Sequence, residues 1–326
     1  MTGTELRINR VADYCTSEAI NSIDTERWMG HLIDEKKLCE IMIPGSHDSG
    51  MSILKHCTMR KIIAGYTQTQ RLSFLKQLQT GTRYFDIRID YDHGELVTYH
   101  RNDGALGCNG QSLISILEEM KSFLISHPTE FLILKFSHIR NYGKSHNPTN
   151  TKRIIENTIE AYREFFFCST SSNTILADMT IGAFRGKAIL AFDYDEHIST
   201  SKGRFRYQNK QWTYRKDNLS VYDVYSNTYD YEKMKEDQIN KWKNNSQFRS
   251  GYLFLLSWTL TADPGKPSPG IDILSRTANK NICSVLKEGI VNKGLMMPNI
   301  VLMDFVSELT SKSIIHFNFV RMIPRD

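Results

Sequence analysis

The segment SLISILEEMKSFLISHPTEFLILKF, residues 112–136, decides the fold class because it joins a helix pattern to a buried-strand pattern. In its first half, apolar residues recur at helical spacing from Leu113 to Leu124, and Pro128 lies beyond their end. Residues 131–136 are then an almost continuous apolar run, which is typical of a strand covered on both faces. A helix followed by such a strand predicts a unit of a parallel α/β protein.

The same alternation of strand and helix patterns extends along the chain. Strands are predicted at 38–43 (ended by Pro44-Gly45), 84–89 continued by 95–99, 131–136, 187–192, 220–225, 252–257 and 299–305. Helices are predicted at 69–79, 112–126, 151–167, 230–243, 271–288 and after Ser307. The polar stretch 195–218 is predicted to be an insertion or a long rim loop. We find no repeat or linker, so this order predicts one barrel-like domain.

Composition excludes several classes of protein. Of the 326 residues 40% are apolar, which allows a core of ordinary size. The mean hydropathy of −0.40 and the lack of an apolar run near ~18 residues argue against a transmembrane helix. A net charge of +5 suits an anionic partner, but no dense basic block with interleaved aromatic residues predicts nucleic-acid binding.

The six cysteines are dispersed and form no CxxC pair, so neither a zinc ribbon nor a thioredoxin-type site is expected. Several stand in apolar stretches, which predicts buried free thiols. Residues 1–10 contain no apolar signal-peptide core. We therefore expect a protein of a reducing compartment, in the cytoplasm, or one that is exported without a signal peptide.

Charged and imidazole side chains stand at the predicted strand ends, where the loops of a barrel gather functional groups. They are His47 and Asp48 in IMIPGSHDSG, Asp86 and Arg88 in RYFDIRI, His100 in ELVTYHR, and Asp304 in NIVLMDF. Structural roles are open for most of them, including a helix cap at Asp48 and a simple ion pair between Asp86 and Arg88. Asp304 ends an apolar strand and needs a partner. Because the first and last strands of a closed barrel are neighbours, Asp304 can reach His47, as a carboxylate that orients an imidazole base.

Six segments together resemble the X-domain of the phosphatidylinositol-specific phospholipases C, in the bacterial single-domain form. In order they are IMIPGSHDSG, QLQTGTRYFDIRI, LVTYHR, HPTEFLILKFSH, FRGKAILAF and IVLMDF. The resemblance spans roughly residues 38–305, with an extension at 1–37 and a closing helix within 306–326. It implies an α/β fold, a distorted TIM (β/α)8 barrel, that acts as a monomer.

The resemblance implies acid–base chemistry by two histidines. His47 resembles the general base that takes the proton from the inositol 2-hydroxyl, and Asp304 would orient it. His100 resembles the general acid that protonates the departing diacylglycerol oxygen, with Asp48 as its helper. The attack is internal, so the first product would be inositol 1,2-cyclic phosphate. An ordinary imidazole pKa of ~6.5 suits both roles.

Arg88 stands where the calcium-dependent members of the family carry an acidic residue. A guanidinium is always charged and grips phosphate oxygens. Asp48 also replaces the asparagine that follows the histidine in the calcium type. We therefore expect neither a metal ion nor another cofactor.

The resemblance also implies residues that contact the substrate headgroup. In VYDVYS, Asp223 would accept hydrogen bonds from inositol hydroxyls and Tyr225 would lie against the ring, while Asp86 lies nearby on the second strand. Two basic residues of the bacterial pattern are missing. Ser137 and His138 stand where it has a lysine, and Asp193 where it has an arginine.

The expected partner is an anionic phospholipid at a membrane surface, with the protein bound peripherally. MSILKHCTMRKII (51–63) could form a short basic amphipathic helix at the interface, or pack normally on the barrel. Trp258 and Leu260 are a second candidate contact, and core packing is the alternative for them too.

Two other functions remain open. A metal-dependent barrel phosphodiesterase would use acidic ligands, for which Asp86, Asp90, Asp92 and Glu95 are candidates. A phosphoinositide-binding module that has lost turnover is favoured by the departures at Ser137 and Asp193. Metal-stimulated release of a non-cyclic product would indicate the first, and lipid binding without product the second.

Overall fold

The computed structural model describes residues 15, 18–59, 63–102, 106–141, 148–209, 217–246 and 251–320. Within these ranges the chain forms ten strands in one sheet. They are β1 (Ile43–Ser46), β2 (Tyr84–Asp92), β3 (Glu95–Arg101), β4 (Gly107–Ser112), β5 (Leu132–Asn141), β6 (Ala188–Phe192), β7 (Arg204–Asn209), β8 (Leu219–Asp223), β9 (Leu253–Trp258) and β10 (Ile300–Met303).

Eight of these strands close into a parallel barrel in the order β1-β10-β9-β8-β7-β6-β5-β2. The parallel pairing of β1 with both β10 and β2 closes the ring. The predicted TIM-type barrel is therefore confirmed. Strands β3 and β4 extend the sheet from β2 as antiparallel neighbours. His93 and Gly94 connect β2 to β3 with φ angles of 50° and 85°, as a tight two-residue hairpin requires.

Helices flank the barrel between its strands. They are α1 (Glu18–Asn21), α2 (Phe74–Gln79), α3 (Leu113–Ser126), α4 (Thr149–Glu160), α5 (Tyr231–Asn244), α6 (Ile271–Lys287) and α7 (Glu308–Ile315). Side-chain caps start several of them: the Ser112 hydroxyl accepts from the Ser115 amide, and the Asp230 carboxylate accepts from the Lys233 amide.

Alternation along each strand separates the two cores. Ile133 of β5 packs inside the barrel with Tyr84 and Leu302. Leu134, the next residue, faces outward and packs with Leu117 of α3. A strand buried on both faces is thus apolar throughout, which is why residues 131–136 predicted it.

The prediction for the first strand is wrong. Leu38–Glu40 is a 3-10 turn, and the strand is Ile43–Ser46. Pro44 and Gly45 lie within the strand and do not end it. The barrel interior is narrow at this point. A Cβ on Gly45 would lie 3.0 Å from Ile300 Cγ2, so glycine is required within the strand and not as a breaker.

The prediction that 195–218 is an insertion or rim loop is also wrong, since it contains the barrel strand β7. Phe205 faces the barrel core, whereas Arg204 and Arg206 form ion pairs with Glu156 and Asp195. Because these charged residues alternate with the core residues, the segment lacks the continuous apolar run by which the other barrel strands were predicted. Residues 210–216 of this stretch lie outside the described residues.

The other predicted elements are present, although two helices are shorter than predicted. Helix α2 begins only at Phe74, where Ser73 caps it. Helix α4 ends at Glu160 and is followed by a 3-10 turn at Arg163–Phe165.

The prediction of free thiols is wrong for four of the six cysteines. Cys15 is bonded to Cys283 and Cys57 to Cys108. Cys39 is a buried thiol, as expected, and Cys168 is an exposed one. The bonded partners are 268 and 51 residues apart in sequence, so only the folded chain brings them together.

Candidate active site

His47 and Asp304 meet at the carboxyl end of the barrel. His47 follows β1 and Asp304 follows β10, and the pairing of Ser46 with Met303 sets both side chains at the same height. His47 Nδ1 lies 2.8 Å from Asp304 Oδ1. An ionised carboxylate only accepts hydrogen bonds, so Nδ1 carries the proton. Nε2 is then the ring atom that can exchange a proton with a ligand.

The guanidinium of Arg88 lies beside Nε2 of His47, at 2.9 Å from Nη2. Its Nε lies 2.6 Å from Asp48 Oδ1 and 3.3 Å from Asp86 Oδ2. Burial alone would lower the pKa of Arg88, but Asp48 and Asp86 outweigh burial and raise it. Arg88 therefore presents a fixed positive charge at the floor of the site.

Opposing influences set the charge of His47. Burial and Arg88 lower its pKa, but the Asp48 and Asp304 carboxylates outweigh them and raise the pKa to about 9. The 2.9 Å contact with Arg88 requires an unprotonated Nε2, because two N–H donors would repel each other. This contact thus belongs to the deprotonated ring, the form that can act as a base, and the carboxylates shift that form to higher pH than for an ordinary histidine.

His100, on β3, is the second imidazole of the site. Its Nδ1 lies 3.1 Å from the carbonyl oxygen of Thr67, which can only accept, so Nδ1 carries a proton. Asp48 Oδ2 lies 3.6 Å from the same nitrogen. Burial, with help from Arg88, lowers the pKa of His100 although Asp48 opposes this. The pKa of His100 is thus lowered and that of His47 is raised, so the two imidazoles of the site are shifted in opposite directions.

Lys135 was missed by the sequence reasoning. Its Nζ lies 3.0 Å from Asp223 Oδ2 and 3.3 Å from Asp86 Oδ1, inside the barrel. Burial would lower the pKa of Lys135, but Asp223 and Asp86 raise it well above its ordinary value. The signal was present in the sequence, since a lysine inside the apolar run 131–136 of a barrel strand must find buried acidic partners.

Asp86 is the link between Lys135 and Arg88. Burial alone would raise its pKa, but Lys135 and Arg88 hold it far below the usual carboxyl range. The Ser137 hydroxyl donates to Asp86 Oδ1 at 3.0 Å. Ser137, a departure from the bacterial pattern, thus completes the hydrogen bonding of Asp86, while Lys135 supplies a cation two residues earlier on the same strand face.

The remaining predicted residues lie around this floor. Asp223 Oδ2 accepts from the Tyr207 hydroxyl at 2.7 Å as well as from Lys135. Tyr225 lies beyond β8 with 59% of its surface exposed. Asp193 accepts from the amide of His138, and burial raises the pKa of the Asp193 carboxyl although Lys135 lowers it.

Three ligand atoms of His47, Asp48 and Asp86 lie within 4.8 Å of one another, close enough to share a metal ion. The Arg88 guanidinium contacts all three side chains and supplies a positive charge among them. The other acidic set considered from the sequence does not converge. Asp92 turns instead to Asn109, whose Nδ2 donates to Asp92 Oδ2 at 2.6 Å.

Of the two alternatives given for Trp258 and Leu260, core packing is confirmed and membrane contact is not. Trp258 is 1% exposed and donates from Nε1 to the carbonyl of Ala278, and Leu260 is also buried. Of the two alternatives given for residues 51–63, in the loop after β1, a helix is absent from residues 51–59, which form turns and a β-bridge at Lys55. Arg60, Lys61 and Ile62 lie outside the described residues. In this loop Met51 is buried, whereas Ile53 and Met59 are exposed by 44% and 60%.

Known proteins share this architecture. A protein of Listeria monocytogenes named 1-phosphatidylinositol phosphodiesterase is 32% identical over 170 residues, which cover 52% of this chain and 49% of that protein. The aligned segment spans about half the length of the curated relatives that the chain matches. No protein-family model matches the chain.

Among solved structures, the phosphatidylinositol-specific phospholipase C from L. monocytogenes aligns with a TM-score of 0.67 at 24% identity, over 90% of this chain and 98% of that one. The chain is similar in sequence and in fold to the bacterial phosphatidylinositol-specific phospholipases C. A mutant of the Staphylococcus aureus phosphatidylinositol-specific phospholipase C aligns with a TM-score of 0.70 at 20% identity, over 90% and 98% of the two chains. These structural likenesses establish that the chain has the barrel fold of these phospholipases.

Proposed function

We propose that this chain is a phosphatidylinositol-type phospholipase C that works by acid–base catalysis on two histidines, with an arginine in place of a metal ion. The observation that carries the proposal is the convergence of His47, Arg88 and His100 around Asp48. The names of the curated relatives give the same activity.

The reaction follows from the positions of the protons. Nε2 of deprotonated His47 takes the proton of the inositol 2-hydroxyl while its oxygen attacks the phosphorus. The bond from phosphorus to the glycerol oxygen breaks, and protonated His100 gives its proton to that oxygen. The products are diacylglycerol and inositol 1,2-cyclic phosphate. The nucleophile belongs to the substrate, so no serine or cysteine nucleophile is needed.

Arg88 stabilises the negative charge that develops on the phosphoryl oxygens. An anionic phosphate bound beside Arg88 would also favour the protonated form of His100, because a nearby negative charge raises a histidine pKa. The substrate thus favours the charged form of His100, which burial disfavours in the free protein. Asp304 keeps His47 in the tautomer whose Nε2 faces the substrate.

The headgroup is recognised by the floor beside Arg88. Asp223 and Asp86, which both form ion pairs with Lys135, accept hydrogen bonds from inositol hydroxyls, and the exposed ring of Tyr225 covers the apolar face of the sugar ring. Asp193 adds negative charge to this side, which disfavours a headgroup with extra phosphates.

A metal-dependent mechanism is less well supported, because the guanidinium already contacts the three side chains that could share an ion. A binding module without turnover is also less well supported. Both imidazoles have the partners that acid and base catalysis requires.

The exposed apolar residues Ile53 and Met59, on the loop after β1, contact the lipid surface. No helix among the described residues has the length and apolar content to cross a bilayer. The two disulfides support a location outside the reducing cytosol.

Phosphorus NMR of phosphatidylinositol micelles with the purified protein tests the proposal. We expect the signal of a cyclic phosphodiester, absent with His47→Ala and retained with His31→Ala, a control at the opposite end of the barrel. A non-cyclic phosphomonoester as the first product would contradict internal attack, and vesicle binding without any product would indicate a binding module.

A further inference from the structure

A second cluster of ligand-type side chains lies outside the active site, at the tip of the hairpin formed by β2 and β3. Asp92 ends β2, His93 forms the turn, and His56 approaches from the loop after β1. His56 Nδ1 lies 3.8 Å from Asp92 Oδ2, and His93 Nε2 lies 3.7 Å from Asp92 Oδ1. We propose that His56, Asp92 and His93 form a binding site for a transition-metal dication such as Zn²⁺.

The distances suit an ion better than direct hydrogen bonds. At 3.7 and 3.8 Å the nitrogen and oxygen atoms are too far apart for hydrogen bonds. With metal–ligand bonds of about 2.0–2.1 Å, two ligands of a tetrahedral ion are separated by about 3.4 Å. One donor atom from each of the three residues lies within 4.8 Å of the others. A small closure of the exposed imidazoles brings them into range.

The ligand types define the class of metal. Two imidazoles and one carboxylate are the ligand set of zinc and its neighbours in the first transition row, whereas Ca²⁺ and Mg²⁺ prefer oxygen ligands throughout. Three protein ligands leave a fourth tetrahedral position for water. The single carboxylate leaves the complex with a net charge of about +1, which the open surface solvates.

The cluster is supported by residues behind it, as metal ligands commonly are. Asp92 is 8% exposed, and Asn109 Nδ2 donates to its Oδ2 at 2.6 Å. Arg101 in turn donates from Nη2 to Asn109 Oδ1 at 2.9 Å. The buried carboxylate is therefore held in one orientation, aimed at the two rings.

The same arginine fixes the second ligand. Arg101 Nη2 donates to the carbonyl oxygen of His56 at 2.7 Å. Cys57, the next residue, is bonded to Cys108, and Lys55 forms a β-bridge with Asn109. The segment that carries His56 is thus fastened to β4 on both sides.

The backbone brings the two imidazole rings together. His56 and His93 both have left-handed φ angles, 44° and 50°, and at His93 this is the conformation of the hairpin turn. Their rings meet edge to face with centroids 4.8 Å apart. Both imidazoles face the one carboxylate of Asp92.

A metal ion here would join the hairpin to the loop that carries Ile53 and Met59. The loop after β1 also begins with His47, so the ion would stabilise one wall of the candidate active site without entering it. This inference does not depend on the lipid or on the reaction.

Isothermal titration of tag-free protein with Zn²⁺, followed by visible spectroscopy of the Co²⁺ form, tests the site. We expect saturation at one ion per chain and the intense visible bands of four-coordinate Co²⁺. The double variant His56→Ala/His93→Ala should lose at least tenfold in Zn²⁺ affinity and lose the bands. His31→Ala, which removes an exposed histidine elsewhere, should bind as the wild type does.

Two outcomes overturn the inference. One is wild-type binding that is no tighter than that of the double variant. The other is binding that persists in the double variant and disappears in His47→Ala, which would place the ion in the candidate active site. Circular dichroism of each variant without metal shows whether it is folded, and both substituted histidines are exposed, so folding is expected to survive.

Discussion

At the scale of single residues, the charge of His47 depends on the carboxylates that face it. Asp304→Asn removes one of them, so the pKa of His47 should fall from its raised value of about 9. The acidic limb of the kcat/KM profile reports protonation of this base, and it should therefore move to lower pH. The maximal rate should fall by about 10²–10⁴-fold, because the asparagine no longer stabilises the charged ring or selects its tautomer.

Rates measured across pH, with the His47 ring followed by NMR, check this prediction. Asp272→Asn, a partly exposed position on α6, is the control and should leave the profile unchanged. If the acidic limb does not move in Asp304→Asn, the group whose protonation it reports is not His47.

Lys135 and Lys152 form a matched pair of lysines, each with an 11% exposed side chain. Lys135→Met leaves the buried Asp86 and Asp223 without their cation, and should lower the free energy of unfolding by about 3–5 kcal/mol. Lys152→Met breaks a contact with the half-exposed Glu196, which is worth about 0–1 kcal/mol. Only the first variant should also lose activity. Equal destabilisation in urea titrations would contradict the role given to Lys135.

The sequence could place His47 beside Asp304, because adjacent strands of a closed barrel end at the same height. It could also align Asp86 with Arg88 on one strand face. It could not show that Lys135, rather than a residue at position 137 or 138, supplies the cation. That outcome depends on which residues of β5 and β8 face each other across the barrel.

At the scale of elements, a buried ion pair holds the closed end of the barrel. Arg83 precedes β2 and Glu130 precedes β5, and their side chains, both fully buried, lie 2.8 Å apart. Arg83 also donates to the carbonyl oxygen of Thr25, and Glu130 accepts from the amide of Gly30, both in the N-terminal segment. They join three parts of the chain that no local sequence pattern connects.

Glu130→Gln keeps the shape of this side chain and removes its charge. Arg83 is then buried without a counter-ion, so the free energy of unfolding should fall by about 3–5 kcal/mol. Since the pair lies at the end of the barrel away from His47, kcat/KM below the melting range should stay near the wild-type value. Denaturant titration measures the first quantity, and a stability within 1 kcal/mol of wild type would contradict the importance of the pair.

Elements were predictable where their pattern was almost continuously apolar, as in residues 131–136 and in β6. Strand β7 was not, because Arg204 and Arg206 alternate with the core residues Phe205 and Tyr207, and the partner of Arg204 is Glu156 of helix α4. At Gly45 the error was the reverse, because the sequence predicted the end of a strand where the strand continues. A glycine that ends strands in other contexts lies here inside one, where the barrel leaves no room for a Cβ.

At the scale of the whole molecule, the proposed function requires that the open end of the barrel faces the lipid. Ile53→Asp/Met59→Asp should weaken binding to anionic vesicles, since it removes two exposed apolar side chains and adds charges that the bilayer repels. Cleavage of a water-soluble monomeric substrate should change little. Ile114→Asp/Ile125→Asp on α3 is the control, since both of these side chains are also exposed. Co-sedimentation in which both double variants bind alike would contradict this orientation.

The disulfides also belong to this scale. Six dispersed cysteines gave no pairing from sequence, and only the fold brings Cys15 to α6 and Cys57 to β4. The fold class and most strand-end residues could thus be predicted from local pattern and resemblance. Long-range partners such as these could not, because they depend on the three-dimensional arrangement of the complete barrel.

The most direct test of the central claim is the rate of phosphatidylinositol cleavage after exhaustive EDTA treatment and again with added Ca²⁺. The measurement is best repeated in His56→Ala/His93→Ala, so that a metal at the hairpin cannot affect the result. If Arg88 does the work of a metal ion, the rates with EDTA and with Ca²⁺ will be equal, and Arg88→Ala will be slower by at least ~10²-fold in both. Cleavage that stops in EDTA and returns with Ca²⁺ would contradict the account.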